Sequence, residues 1–218
     1  NIKGEYMGIN KFTEQQLEKD LRRTMEITSP DWKMQNNYYD KTSNFIYRMN
    51  SLDECLSEIQ RTKVNKDYAL HRWYNYITST RCEYIFCEYG AVHDSDKFNH
   101  DIDIYINGIP FDVKLTLYPA KLSSRPYDLS TRKGKDDMIR WYYSHQSQEN
   151  RKQILNRLYV VCDADTYKEC LLMKCNFSLM HKHIKDFMNS VKVHGLNEMI
   201  ISDNGKEYHL KSDIIHIH

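Results

Sequence analysis

The sequence predicts an α/β (α+β) fold in which helices pack on a mixed central sheet. Residues 100–119 alternate between apolar and polar around an Asn-Gly dipeptide, which is a strong short-range signal for a β-hairpin. Residues 157–164 form a short apolar run typical of a buried strand. In the segments that flank the hairpin and this strand, apolar residues recur at the spacing of an α-helix. Strands that alternate with helices in this way are typical of a sheet covered by helices.

The length and composition fit one globular domain. The chain has 218 residues, of which 40% are hydrophobic and 28% are charged, and domains usually contain roughly 100–200 residues. We expect a single compact domain in which a helical N-terminal extension, residues 1–65, packs on a main domain, residues 66–218. The formal net charge of +1 excludes a chain that is basic overall, but it leaves room for a basic face.

The hydropathy and the cysteines predict a cytoplasmic protein with no membrane partner. No run approaches the ~18 apolar residues that span a membrane, and the first residues lack the apolar segment of a signal peptide. None of the six cysteines has C-x-x-C spacing, which argues against a zinc ribbon or a thioredoxin-like motif. Buried free thiols in a reducing compartment are the simplest interpretation.

Three helices are predicted before the first strand. Thr13 and Ser51 are each followed three residues later by Gln or Glu, which is the pattern of a capping box, so both are candidate N-caps. The third helix is expected at about 66–78, where Leu70 and Trp73 begin a buried stripe with helical spacing.

The remaining elements follow from the same patterns. We predict a strand at 82–90, the hairpin at 100–119, a long basic loop, a helix from about Asp136 to Asn150 and a buried strand at 157–164. A further strand at 167–175 would pair with it, followed by a helix over 177–191, a second Asn-Gly hairpin at 198–210 and a last strand at 213–218.

The first Asn-Gly turn fixes the register of its hairpin. If residues 107–108 are the centre of a type I′ turn, Ile106 faces Ile109 and Asp103 faces Asp112. One face of the hairpin is apolar and is expected to face the core: Ile102, Ile104, Ile106, Ile109, Phe111, Val113, Leu115 and Leu117.

The other face of the hairpin brings two acids together. Asp103 and Asp112 form a non-hydrogen-bonded pair, in which side chains approach closely and like charges repel. A divalent cation between them would compensate, and carboxylate oxygens suit Mg²⁺ or Mn²⁺. Lys114 lies beside this pair as a positive charge. The alternative is a solvated face with a surface ion pair between Asp101 and Lys114 and no metal.

These residues resemble the motif of the PD-(D/E)xK nuclease superfamily, which has the restriction-endonuclease-like fold. Asp103 corresponds to the first acid of the family pattern, with Asp101 as an alternative for that acid. The stretch from Asp112 to Lys114 corresponds to the (D/E)-x-K motif. This sequence departs from the pattern in having Ile102 before the first acid and Asp as the second acid.

The resemblance covers the predicted elements across 66–163. Their order matches the αβββαβ core of the family, so the resemblance implies a restriction-endonuclease-like core with a mixed central sheet. The N-terminal helical segment and the C-terminal helix and hairpin would be additions to this core.

The resemblance implies a metal-dependent endonuclease that hydrolyses phosphodiester bonds of nucleic acid, with DNA favoured over RNA. Asp103 and Asp112 would bind Mg²⁺, for which Mn²⁺ can substitute, and Lys114 would stabilise negative charge that develops during the reaction. Many family members take a further ligand from the first helix. Here Asp67 and His71 lie four residues apart on one face of that helix and are candidates for this further ligand. The alternative is that they belong to a solvated face of the helix and bind no metal.

The stretch 121–157 is the most basic part of the chain and directly follows the candidate active strand. Binding of phosphates by Lys and Arg is the expected use of such a segment, and an ordinary solvated loop is the alternative. The candidates for contact with nucleic acid are Lys121, Arg125, Arg132, Lys133, Lys135, Gln146 and Arg151.

Two classes of function stay open, and the basic stretch 121–157 counts against a third, a metal-binding structural hairpin with no nucleic-acid role. The first is the Mg²⁺-dependent endonuclease, and the second is a catalytically inactive protein that binds nucleic acid or another partner on the same fold. The sequence leaves both a monomer and a homodimer open.

Overall fold

The structure is a computed structural model that describes residues 11–29, 35–96, 101–124, 126–145 and 154–218. This described part of the chain is mixed α/β, with seven α-helices, a mixed five-stranded sheet and a separate two-stranded hairpin. The α/β class predicted from the sequence is therefore confirmed. No helix in these ranges combines the length and the hydropathy needed to cross a membrane.

The helices are α1 (Lys11–Ile27), α2 (Asn37–Thr42), α3 (Leu52–Thr62), α4 (Lys66–Glu88), α5 (Arg132–Ser144), α6 (Tyr167–Met173) and α7 (Phe177–His194), with 3₁₀ turns at Asn44–Arg48 and Ala120–Leu122. The strands are β1 (Val92–His93), β2 (Ile104–Ile106), β3 (Ile109–Leu117), β4 (Arg157–Cys162), β5 (Met199–Asp203), β6 (Lys206–Leu210) and β7 (Asp213–Ile217).

The central sheet has the strand order β1-β2-β3-β4-β7. The strands β1, β2 and β3 are antiparallel neighbours, whereas β3, β4 and β7 run parallel. Parallel strands need a long crossover, and the segment that contains α5 connects β3 to β4. The remaining strands, β5 and β6, form a hairpin of their own.

Helices cover both faces of this sheet. On one face, α4 contacts β3 and α7 contacts β7, and these elements share the larger hydrophobic cluster with α1 and α3. On the other face, α5 and the β5–β6 hairpin pack on the sheet through a second cluster. Every residue of β4 is buried as a result, which is typical of a central parallel strand.

The first hairpin has the predicted register. Asn107 and Gly108 have φ values of 52° and 76°, and Ile106 pairs with Ile109. The predicted apolar face lies in the larger cluster, where its buried members are Ile104, Ile106, Phe111, Val113 and Leu115. The second Asn-Gly hairpin is confirmed as β5–β6.

One predicted helix cap is confirmed and one is wrong. Ser51 caps α3, and its hydroxyl accepts a hydrogen bond from the Glu54 N–H at 3.2 Å. Thr13 lies inside α1 and does not begin it. The sequence pattern around Thr13 satisfies the capping rule, but the helix already includes Lys11.

The predicted strand at 82–90 is wrong. α4 continues without a break from Lys66 to Glu88, and the first strand of the sheet is the two-residue β1. A short apolar run such as 82–87 cannot be assigned to a helix or a strand by periodicity alone. In the structure its residues Cys82, Ile85 and Phe86 are buried in the larger cluster as part of the helix.

The predicted strand at 167–175 is also wrong, because it contains α6. Thr166 and Glu169 form a complete capping box at its start, and β4 pairs with β3 and β7 instead. The predicted helix at 136–150 exists as α5, but it begins at Arg132, with Thr131 as its N-cap.

Gly134 allows α5 to start close to the preceding loop. A Cβ at this position would lie 1.9 Å from the backbone oxygen of Asp128. We therefore expect Gly134→Ala to lower the free energy of unfolding by about 1–3 kcal/mol, although Ala favours helices more than Gly does. Urea unfolding of this variant beside Arg140→Ala, an exposed control on α5, measures the effect. A Gly134→Ala protein as stable as its parent would contradict the packing argument.

Candidate active site

The beginning of β3 brings the predicted motif onto one face of the sheet. Asp112 and Lys114 are two residues apart in the strand, so their side chains point the same way. On the neighbouring strand β4, Arg157 pairs with Asp112 and Tyr159 pairs with Lys114. These four side chains therefore share the face of the sheet that α5 covers.

Asp112 is buried between two cations. Its Oδ2 atom accepts a hydrogen bond from Arg157 Nε at 2.7 Å, and its Oδ1 atom lies 2.6 Å from Lys114 Nζ. The alternative in which Lys114 pairs with Asp101 on a solvated face is therefore wrong. The charge of Asp112 is compensated by side chains of this chain.

Arg157 is fixed on several sides. Its guanidinium lies 5.8 Å from the centre of the Tyr143 ring, on α5, and its backbone N–H donates to the Ser212 hydroxyl at 2.9 Å. The Tyr143 and Ser212 hydroxyls are themselves 2.9 Å apart. Arg157 is therefore held by α5 and by the start of β7 while it binds Asp112.

Asp103 is bound to the backbone of β3. Regular pairing of β2 ends at Ile104, and beyond it the Asp103 N–H donates to the Phe111 carbonyl at 2.9 Å. The Asp103 Oδ2 atom accepts from the Val113 N–H at 2.8 Å. The Asp103 carboxylate therefore does not simply stand opposite Asp112, as the ideal hairpin predicts.

The pKa of Asp103 is raised to about 7. Burial of the carboxyl group is the main cause, and the nearby charges of Glu83 and Asp112 add to it. The Val113 N–H and Lys114 lower the pKa, but they do not outweigh these effects. Asp103 thus lies where negative charge is incompletely compensated.

Glu83 is the functional candidate that the sequence analysis missed. It lies in the last part of α4, close enough to Asp103 to raise its pKa, and its Oε2 atom is 2.9 Å from His93 Nε2. A helix predicted to end at residue 78 cannot include it. The absence of Gly and Pro between residues 66 and 88 was the signal for a longer helix.

His93 joins Glu83 to β1. Its Nδ1 atom lies 2.8 Å from the Asp94 carbonyl oxygen, and its ring stacks on that of Tyr84 with centres 4.7 Å apart. The carbonyl of Asp94 and the carboxylate of Glu83 both accept hydrogen bonds. Each ring nitrogen of His93 therefore lies beside an acceptor oxygen.

Three carboxylates thus each have one oxygen held by a donor of the scaffold. The other oxygen of Asp112 contacts Lys114, a side chain that is 48% exposed. For Glu83 and Asp103, the described residues provide no hydrogen bond to the second oxygen. In the part of the chain that the structure describes, no group of three or more His, Cys, Asp or Glu side chains is arranged to hold a metal ion as it stands.

The two weaker metal candidates lie elsewhere on α4. His71 is buried and bonds to the backbone oxygen of Ser29, and Asp67 is exposed in the first turn of the helix. At about 1.5 Å per residue, His71 is about 18 Å and Asp67 about 24 Å from Glu83 along the helix axis. The structure does not bring them to Asp103. Asp101 is exposed, two residues before Asp103.

The described nucleic-acid candidates are dispersed. Lys121 lies beyond the far end of β3, which is about 16 Å from Asp112 at about 3.3 Å per residue. Arg132 pairs with Asp136 and Asp213, and Lys133 pairs with Asp137. Lys135 is partly buried, and burial lowers the pKa of its amine.

Three further candidates, Arg125, Gln146 and Arg151, lie outside the described residues.

No protein-family model, curated protein or solved structure matches this chain. The site itself is therefore the only indication of what the described part of the chain does.

The raised pKa of Asp103 predicts a pH dependence of stability. Between the ordinary value of 3.8 and about 7, folded Asp103 keeps a proton that the unfolded chain has lost. The contribution of protonated Asp103 to the free energy of unfolding is therefore fully present below about pH 3.8 and is lost as the pH rises through about 7. Asp103→Asn should be more stable than the parent at about pH 8, by on the order of a few kcal/mol, and this gain should shrink towards about pH 4.

Urea unfolding in EDTA at several pH values measures this trend. Asp186→Asn, an exposed position on α7, is the matched control and should show no such gain. A constant difference between Asp103→Asn and the parent across the pH range would show that Asp103 has an ordinary pKa.

The buried Asp112–Arg157 pair predicts a cost for removing one partner. Asp112→Asn should lower the free energy of unfolding by about 3–5 kcal/mol, because it leaves the Arg157 charge buried without its carboxylate. Adding Arg157→Met should recover part of the loss. Asp137→Asn, which breaks an exposed pair, should cost less than about 1 kcal/mol. Similar losses in the two single variants would contradict the burial argument.

Proposed function

We propose that this protein is a metal-dependent nuclease of the PD-(D/E)xK type that hydrolyses phosphodiester bonds of nucleic acid. The observation that carries the proposal is the meeting of Glu83, Asp103, Asp112 and Lys114 at the start of β3, where burial, together with the nearby charges of Glu83 and Asp112, raises the pKa of Asp103 to about 7. Strongly shifted carboxyl groups are more frequent at functional sites than elsewhere.

The order of elements supports the proposal. A helix, α4, precedes three antiparallel strands, and α5 then leads to the parallel strand β4. This order agrees with an αβββαβ restriction-endonuclease-like core. In this interpretation the helices before α4 and the elements after β4 are additions to the core.

The donor set is suited to Mg²⁺, although the described side chains do not form a cage. Glu83, Asp103 and Asp112 offer hard carboxylate oxygens, and they would hold the ion. Mg²⁺ in phosphoryl-transfer sites usually binds one or two carboxylates and completes its shell with water and substrate phosphates. When bound, it would neutralise charge on the scissile phosphate and lower the pKa of an attacking water.

Lys114 would act on the phosphate. Its Nζ atom contacts the Asp112 oxygen that a cation would need, and the side chain is exposed enough to move away. The Lys114 side chain is 48% exposed, so its ammonium would return to water, and the bound cation would compensate the buried Asp112 oxygen in its place. The freed ammonium can donate to a phosphate oxygen and stabilise the negative charge that develops there.

DNA is the favoured substrate, with RNA as the alternative. Arg132, now paired with Asp136 and Asp213, and Lys133, now paired with Asp137, would contact phosphates by exchanging these carboxylate partners for phosphate oxygens. Such exposed pairs are weak, so the exchange is feasible.

One observation favours a second candidate function, a catalytically inactive nucleic-acid-binding or interaction protein. Both oxygens of Asp112 already have cationic partners, Arg157 and Lys114. A buried carboxylate with this environment is satisfied without a metal. In this interpretation Lys114 stabilises the sheet and has no part in a reaction.

Replacement of Lys114 separates the two functions. Single- and double-stranded DNA and RNA would be incubated with Mg²⁺ and the parent, Lys114→Ala or Lys168→Ala, an exposed control on α6. For a nuclease we expect Lys114→Ala to lower the turnover rate by about 10²–10³-fold, as for loss of one electrostatic donor. Its affinity for Mn²⁺ should not fall, because an Asp112 oxygen is freed.

A parent protein that cleaves none of these substrates with Mg²⁺ or Mn²⁺ would exclude the nuclease. In that case the second candidate predicts that Lys114→Ala lowers the free energy of unfolding by about 1–3 kcal/mol, because one oxygen of the buried Asp112 carboxylate loses its partner. Cleavage by Lys114→Ala at the parental rate would show that this lysine has no role in the reaction.

A further inference from the structure

The contact between Glu83 and His93 fixes one oxygen of a largely buried carboxylate. Glu83 Oε2 and His93 Nε2 are 2.9 Å apart, and the side chains of Glu83 and His93 are 14% and 9% exposed. A buried carboxylate needs such a donor, since burial without one is costly. The bond also restricts rotation of the Glu83 carboxylate, which leaves Oε1 for another partner.

His93 is itself held in place by neighbouring groups. Its Nδ1 atom contacts the Asp94 carbonyl, and its ring stacks on Tyr84 at an interplanar angle of 21°. The Asp94 N–H in turn donates to the Asp103 carbonyl at 2.9 Å. The short segment 92–94 therefore connects the side chain of Glu83 to the backbone of Asp103.

We propose that His93 is a positioning residue, which orients the Glu83 carboxylate towards Asp103 for metal binding. This inference rests on the proposed function. His93 has a partner on each ring nitrogen and acts through Glu83, so it is not assigned a contact with the substrate. Donors that orient metal-binding carboxylates typically change metal affinity or activity by about 10–100-fold when they are removed.

Two substitutions separate orientation of Glu83 from simple packing. His93→Phe keeps an aromatic ring that can stack on Tyr84, but it removes both ring nitrogens. His93→Gln keeps one N–H donor that can reach Glu83. We expect His93→Phe to weaken Mn²⁺ binding, measured by calorimetry without nucleic acid, by about 10–100-fold. With Mg²⁺ its kcat should fall by a similar factor at unchanged KM, and His93→Gln should recover most of both losses.

A double-variant comparison tests whether His93 acts through Glu83. In a Glu83→Gln background, adding His93→Phe should cause no further loss of Mn²⁺ affinity or kcat, because the carboxylate to be oriented is gone. Equal losses in both backgrounds would overturn the inference and assign His93 a general structural role.

The parent protein and the single variant distinguish the remaining outcomes. If the parent binds Mn²⁺ and cleaves while His93→Phe does both equally well, His93 does not position Glu83 and the nuclease proposal stands. If the parent neither binds Mn²⁺ nor cleaves, the proposed function is wrong and the inference about His93 falls with it.

Discussion

Asp112 and Arg157 face each other across the parallel strands β3 and β4, and this pairing fixes which side chains of β3 lie on the face of the candidate site. A slip of one residue in β3 would turn Asp112 towards the larger hydrophobic cluster and Val113 towards Arg157. The buried ion pair makes such a slip costly, because each charge would lose its partner inside the protein. The position of Lys114, two residues further along the same face, follows from the same register.

The two aspartates of the hairpin are compensated very differently. Asp112 has a cation on each oxygen, whereas Asp103 has one backbone N–H and a pKa raised to about 7. The difference arises because Asp103 is buried near Glu83 and forms no ion pair with any residue that the structure describes. Unfavourable electrostatics of this kind lowers stability and is expected where a protein has a functional reason to retain it.

The hairpin could be predicted from the sequence because its information is local. The Asn-Gly turn fixes the register, and alternation along the strands assigns the faces. The length of α4 could not be predicted in the same way, because the apolar run 82–87 fits a helix and a buried strand equally well. Tertiary packing decides between them. The shorter helix predicted from the sequence ends before Glu83, so it offers only Asp67 and His71 as candidate ligands.

The partner of Asp112 illustrates the same limit. Arg157 is the first residue of an apolar strand, and nothing in the neighbouring sequence indicates that its side chain binds an acid 45 positions earlier. Pairing between β3 and β4 depends on the crossover through α5, which is a property of the whole fold. The hairpin alone predicts repulsion between Asp103 and Asp112. The charge of Asp112 is compensated by Arg157, which lies on a strand outside the hairpin.

Arg157 and Lys114 both neutralise Asp112, yet they differ in how easily they can leave it. The Arg157 side chain is 9% exposed and lies against Tyr143, whereas the Lys114 side chain is 48% exposed. Breaking the first contact would leave the Arg157 charge buried, while breaking the second returns an ammonium to water and leaves one Asp112 oxygen open to another cation. A divalent cation could therefore replace Lys114 on Asp112 without disturbing the buried pair. In the proposed nuclease, rotation of the Lys114 side chain would free one Asp112 oxygen for the metal ion and provide a mobile positive charge.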